Sequence, residues 1–263
     1  MKIAHEAPLS IFDKVQALTD YDYALVHLFE ENEQYWDTFV KAKKNGREVL
    51  LDNSIFELGT AFEGDTYAYW IRNLEPDWYI VPDVLNNASD TINSFDSFMS
   101  AFPGLPGKAI AVAQGSNYHE LVTCYTTHAN NPLVDKIALS FDHPFFLNER
   151  APFKGNKYFR MMRGRQRMLA DMLQNDIIDT SKPHHLLGCS LPQEFIEYKN
   201  YKWIDSMDTS NPVIHGMKDI KYTSEGLEEK ESVKLFTLIN ENVVDKMEQI
   251  EYNINMFRSF CNG

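Results

Sequence analysis

The chain has 263 residues, 44% of them hydrophobic and 13% aromatic, and a formal net charge of −13. That apolar content builds one large domain or two small ones and excludes a disordered chain. No apolar run approaches the roughly 18 residues of a membrane span, the N-terminus lacks a secretory hydrophobic region, and the acidic balance disfavours nonspecific binding to nucleic acid.

Residues 1–6 are expected to form a first short strand, with Pro8-Leu9-Ser10 opening a helix through Leu18. Residues 23–28 are a second strand. Residues 35–44 are helical, with Tyr35, Trp36, Phe39 and Val40 on one stripe and lysines at the C-terminal end, stopped by Asn45-Gly46. The third strand, 48–51, ends at Asp52. A helix over 66–74 is broken by Glu75-Pro76-Asp77. The fourth strand, 78–81, ends at Pro82-Asp83 and leads to a helix over 91–102 and a turn at 103–107. The fifth strand, 109–113, ends at Gln114-Gly115, and a helix over 118–128 follows. Ile137-Ala138-Leu139 lies in the sixth strand.

The stretch 143–158 is aromatic, Pro-containing and irregular, and together with its flanks (about 142–165) reads as a functional insertion. A basic run leads from it into a helix through Leu173. His185-Leu186-Leu187-Gly188 is the seventh strand. A short helix at 192–196 precedes the eighth, Trp203-Ile204, which is expected to end at Asp205. After His215-Gly216 comes a polar linker. Apolar residues at 236, 239, 243, 247, 250, 254 and 257 then predict one amphipathic helix over 233–257, within a C-terminal extension of about 228–263.

Strand and helix alternate about eight times, and the strands are almost continuously apolar, as in a parallel sheet buried on both faces. The expected fold is α/β: a single (β/α)₈ TIM barrel spanning 1–263, for which about 250 residues is typical. A doubly wound open sheet is the rival, lowered by the lack of a Gly-x-Gly-x-x-Gly fingerprint. Barrel chemistry sits at the C-terminal ends of strands. Asp52, Asp83, Gln114, Gly188 and Asp205 are expected there. Each strand-end Asp has a plainer rival use, capping the next helix.

Several of these strand ends resemble motifs of the tRNA-guanine transglycosylases and their DNA-acting relatives. The stretch from Ile204-Asp205 to His215-Gly216 is similar to the family's nucleophile motif. Asp52-Asn53-Ser54-Ile55-Phe56-Glu57 resembles its Asp-Ser-Gly-Gly-Phe-Gln signature, keeping the Asp and the Phe. Asp83 lies at the position of its base-reading Asp. Ala113-Gln114-Gly115-Ser116 looks like its Val-Gln-Gly-Gly motif, and His185-Leu186-Leu187-Gly188 like its Tyr-Leu-Met-Gly strand. The resemblance runs from Asp52 to Gly216 in the same order.

It implies exchange of a guanine for a free 7-deazaguanine base of the preQ0 type. Asp205 would trap C1′ covalently, as in retaining glycosidases; Asp208 is the alternative nucleophile. Asp52 would move the proton to and from the bases. Asp83 would accept from N1–H and the 2-amino group, and Gln114 would donate to O6. Gly188 and Gly115 would allow close approach, Phe56 would stack on the base, and Ser54 and Leu187 would line the pocket. His5, His27 and His215, and the Met161-Met162 pair, read as structural.

Lys154, Lys157, Arg160, Arg163, Arg165 and Arg167 are expected to contact the nucleic-acid backbone, with Arg160, Arg163 and Arg167 on one helix side. Tyr158 and Phe159 would stack on an extruded neighbouring base. The tRNA-acting enzymes carry a Cys-x-Cys-x-x-Cys…His zinc site after the nucleophile strand. Here Cys124, Cys189 and Cys261 are far apart, so no zinc subdomain, no metal and no cofactor are expected, and a reducing cytoplasm is the expected setting. Ser54-Ile55 replaces the family's double Gly. Residues 138–141 replace its Gly-Leu-Ala-Val-Gly loop. The zinc-less format is similar to the phage and bacterial enzymes that modify DNA, so DNA is the expected partner. The alternatives are the same exchange on tRNA, hydrolytic base excision, or a non-catalytic nucleic-acid-binding subunit.

Overall fold

The computed structural model describes residues 1–148 and 154–262. Eight parallel strands alternate with helices in a nearly closed (β/α)₈ TIM barrel. They are β1 (Lys2–Ala4), β2 (Asp22–Leu25), β3 (Val49–Asp52), β4 (Trp78–Ile80), β5 (Lys108–Val112), β6 (Lys136–Ser140), β7 (His184–Leu187) and β8 (Ile204–Asp208). Each pairs with its neighbour in sequence, and β1 pairs with β8 through Lys2–Ser206, Ile3–Met207 and Ala4–Asp208. Among the described residues only the β1–β2 pair lacks a ladder. There Asp20 bridges the gap: the Ile3 amide donates to its carboxylate at 2.8 Å, and its own amide donates to the Ile3 carbonyl at 2.9 Å.

The strands are short and buried on both faces, which is why their apolar runs show no alternation. Asparagines start four of the outer helices. Asn32, Asn87, Asn117 and Asn156 each accept from the amide three residues on, satisfying one of the unpaired N–H groups of the first turn.

Three expected boundaries move. The stretch 142–165 is not one irregular insertion. It holds a short helix (Phe145–Asn148), five residues outside the described set, and the first half of the β6–β7 crossover helix, Lys157–Gln174. The C-terminal helix starts at Met247 and runs to Asn262. The polar Asn240-Glu241-Asn242 interrupts the earlier apolar spacing, leaving single turns at Leu235–Leu238 and Val244–Lys246. A helix at Asn211–Met217 fills the stretch after β8 to which the sequence assigned no element, opened by Pro212, whose missing N–H costs nothing in a first turn. The C-terminal helix packs on it: Ile250 and Ile254 join Val213 and Ile214 in a small second core beside the main one. Among the described residues no helix is long and apolar enough to cross a membrane.

Candidate active site

At the C-terminal ends of the strands lies a cavity of about 370 Å³. Asp52, Asp83, Gln114, Phe56, Leu187 and Gly188 all reach it, as expected of strand-end residues in this fold. β8 contributes Asp208, not Asp205.

Asp205, expected at the end of its strand, does not reach the cavity. β8 does not end there; Ser206 and Met207 continue the ladder to Asp208. Asp205 lies at the opposite, N-terminal mouth, where Lys136, the first residue of β6, donates to its Oδ2 at 2.6 Å. The low strand propensity of Asp is overridden because Lys136 neutralises the charge and the next residues are buried in the barrel. Burial works against the Asp205 charge, but Lys136 and Lys2 hold its carboxyl below the usual range.

Asp208 is fixed by two donors on one oxygen. His185 Nε2 lies 3.0 Å from Oδ1 and the Gly188 amide 3.2 Å. Among the described residues none donates to Oδ2. Gly188 has a left-handed backbone (φ 63°), and a Cβ there would fall 2.6 Å from the Phe141 ring, so glycine serves both turn and cavity.

Asp52 sits at the end of β3, buried, with the Ser54 amide donating to its Oδ2 at 2.8 Å. Burial, then the charges of Glu57 and Asp208, push its carboxyl well above the usual range, against the pull of Ser54 and Tyr23. These causes favour its protonated form. Ser54 is itself in a left-handed conformation, its hydroxyl 2.8 Å from His27 Nδ1, and it does not line the cavity. It braces Asp52 rather than touching a ligand.

Asp83 is buried between two amides. Asn53 donates to Oδ1 and Gln114 to Oδ2, each at 2.8 Å, while Gln114 Oε1 accepts from the Asn86 amide at 3.1 Å. Burial raises the Asp83 carboxyl and these two amides oppose it. One hydrogen of Gln114 and one lone pair on each Asp83 oxygen remain for a ligand. Gly115 does not reach the cavity. A Cβ there would meet the Leu121 amide at 2.3 Å, so its glycine lets the strand end pack on the next helix.

Glu57 and Glu6 are among the acids of the cavity that were not singled out from the sequence. Glu57 has an Oε2 that is closed from solvent and has no hydrogen-bond partner among the described residues, and burial, helped by Asp208 and Asp142, lifts its carboxyl to about 7. Glu6, just past β1, is pushed well above the usual range by burial and by Glu57, Asp208 and Asp52. Glu57 stands next to Phe56 in the motif that begins at Asp52, the only signal that pointed to it.

The polar linker supplies a strap across the mouth. Lys230 donates to the Cys189 carbonyl at 2.6 Å and lies 4.0 Å over the Phe141 ring. Lys234 donates to the carbonyls of Phe56 and Glu57 at 2.8 and 3.1 Å. Ser232 meets the hydroxyl of Tyr158. Phe56 is 43% exposed at this rim, in reach of a stacked ring.

The expected basic face is largely dismantled. Arg165 is fully buried, donating from Nε to Glu194 at 2.6 Å and to the carbonyls of Leu139, Leu187 and Gly188; it ties β6 to β7 and cannot meet a phosphate. Arg163 pairs with Glu197 at 2.6 Å, Arg167 with Asp171 at 3.9 Å, and Arg160 donates to the Leu147 carbonyl. Lys157 and Tyr158 line the cavity, and Lys154 is exposed just before the helix. The spacing of the run was helical, but one of its faces is a core face. Among the described residues no group of three or more His, Cys, Asp or Glu side chains is arranged to hold a metal ion.

No protein-family model matches the chain, and no curated protein matches it either.

Proposed function

We propose that the protein is a base-exchange transglycosylase that replaces guanine in DNA by a 7-deazaguanine, with Asp208 as nucleophile and Asp52 as proton carrier. The observation that carries this reading is the meeting of Asp52, Asp83, Gln114 and Asp208 in one cavity of nucleobase size.

In the first step the free Oδ2 of Asp208 bonds to C1′ while the bond from C1′ to the guanine nitrogen breaks. The electron pair leaves with the base, and the Asp52 proton neutralises it. The incoming base then attacks C1′, releases Asp208, and returns its proton to Asp52. Burial that favours the protonated form of Asp52, and an Asp208 held by two N–H donors, support this order. Asp83 and Gln114 supply the acceptors and donor for a guanine-like edge, and Phe56 and Tyr158 offer faces for stacking. Lys157, Lys230 and Lys234 at the lip are the cations nearest a phosphate. A duplex nucleotide must be extruded to reach the floor.

The test is incubation with DNA carrying labelled guanine and a free 7-deazaguanine, with tRNA as a parallel substrate. Release of label with incorporation of the new base, and a protein–DNA adduct mapped to Asp208 by fragmentation, are expected. Label release without incorporation means excision by water. No release from either polymer overturns the reading.

A further inference from the structure

The barrel interior carries a polar file that an apolar core would not need. Lys136 Nζ, a donor only, reaches Asp205 Oδ2 at 2.6 Å and Ser206 Oγ at 3.1 Å. Ser206 Oγ lies 3.0 Å from His185 Nδ1, and His185 Nε2 lies 3.0 Å from Asp208 Oδ1. The file thus runs from one mouth of the barrel to the other. Every middle member is buried: Lys136 is 1% exposed, Ser206 2% and His185 0%.

We propose that His185 is a positioning residue for Asp208, locked in its Nε2–H tautomer by Ser206 and Lys136 so that Asp208 presents Oδ2 to the cavity. The proposal rests on the reading of Asp208 as nucleophile. The direction of the hydrogen bonds follows from their chemistry. Lys136 donates to Ser206, so the serine hydroxyl is free to donate onward to Nδ1. Burial lowers the affinity of His185 for a second proton, so the ring is neutral and its single N–H sits on Nε2, facing the carboxylate. The opposite tautomer would put two donors on Ser206, leave the serine hydrogen without this acceptor, and aim the Nε2 lone pair at an anionic oxygen. Tyr23 lies nearly parallel to the imidazole, centroids 6.2 Å apart, and restrains its rotation. With His185 and Gly188 both on Oδ1, the carboxylate cannot swing, and its remaining oxygen is preset for in-line attack. Isolated buried polar groups are costly, so a file whose members all have partners is the tolerable way to place one charge at the mouth.

Two measurements on the full chain test this. Nitrogen NMR of histidine-labelled protein is expected to give His185 as neutral Nε2–H between about pH 7 and 8. An Nδ1–H or doubly protonated ring overturns the proposal whether or not base exchange is found, so its failure is distinct from failure of the proposed function. In the exchange assay, His185→Leu is expected to lower kcat by on the order of 10²–10⁴ with KM for the free base unchanged, the scale seen when the orienting member of a catalytic triad is lost. His185→Gln, whose amide can still donate towards Asp208, recovers most of that loss. Equal loss in both variants, or a change in KM alone, marks His185 as merely structural and overturns the proposal.

Discussion

Lys136 reaches across the floor of the barrel to Asp205 at 2.6 Å, and that bond separates the two aspartates of β8 by place. Asp205 is neutralised at the N-terminal mouth and Asp208 is left for the cavity. Asp208→Asn is therefore expected to abolish base exchange and adduct formation. Asp205→Asn still forms the adduct but is less stable, because Lys136 keeps a buried cation without its carboxylate. Losing one partner of a buried pair costs roughly 3–5 kcal/mol. Asp205 is 35% exposed, so about 1–2 kcal/mol is the expected cost after solvent screening. Thermal melts and adduct mass spectrometry on the two variants check both halves.

Arg165→Met removes a guanidinium that bonds Glu194 and three backbone carbonyls, leaving Glu194 as an uncompensated buried charge. A loss of about 3–5 kcal/mol is expected. The salt dependence of DNA binding by the folded fraction is expected to stay that of the wild type. Replacing Lys157 and Lys234 by Gln is expected to reduce the slope of log K against log salt by as much as about 0.9 per lysine that meets a phosphate. Denaturant titration and binding isotherms at several salt concentrations separate the two effects.

The barrel and half of its mouth were legible because their signals are local. Val49-Leu50-Leu51-Asp52 and Trp78-Tyr79-Ile80 end in polar residues within a few positions of an apolar run, and the strands end there. Asp205 obeyed the same rule and was misplaced, because what keeps it in a strand is Lys136, 69 residues away. Arg165 looked like its exposed neighbours, and only Glu194 on the next connection makes it a core residue. Of the strap residues, Lys230 sits in a segment without periodicity and Lys234 at the start of the stretch expected to be helical; both are positioned by carbonyls of distant loops that no spacing rule reaches.

Glu57 is an acid whose carboxyl is raised from its ordinary 4.5 to about 7, first by burial. The folded state binds this proton more tightly than the unfolded chain, so its contribution to stability is full below about pH 4.5 and is lost as pH rises to about 7. Glu57→Gln is therefore expected to match wild type near pH 4 and to exceed it above pH 7, by on the order of 1–3 kcal/mol. The Glu57 charge also helps hold the Asp52 proton. Without it Asp52 ionises earlier, and the alkaline limb of kcat moves to lower pH. Melts across pH and a pH–rate profile test the two consequences independently.

The histidines act in the opposite sense. Burial is the first cause that lowers His5, His128, His143 and His184 from 6.5 to about 4. Folded proteins hold these rings neutral more strongly than the unfolded chain does, so each contributes stability that is present above pH 6.5 and is lost as pH falls towards 4. This outweighs the gain from the four raised acids, Glu6, Asp52, Glu57 and Asp83, only if several histidines charge together on unfolding. The net expectation is a melting temperature that falls between pH 6 and 4, with more than one proton taken up per molecule on unfolding. His143 is the cleanest probe. Its ring stacks on Phe145 and meets the edge of Phe146, and its buried Nε2 has no hydrogen-bond partner among the described residues, so a phenyl ring suits the site. His143→Phe is expected to be at least as stable as wild type at neutral pH and about 1–3 kcal/mol less sensitive to acid. An unchanged slope of stability against pH would remove His143 from the set of titrating groups.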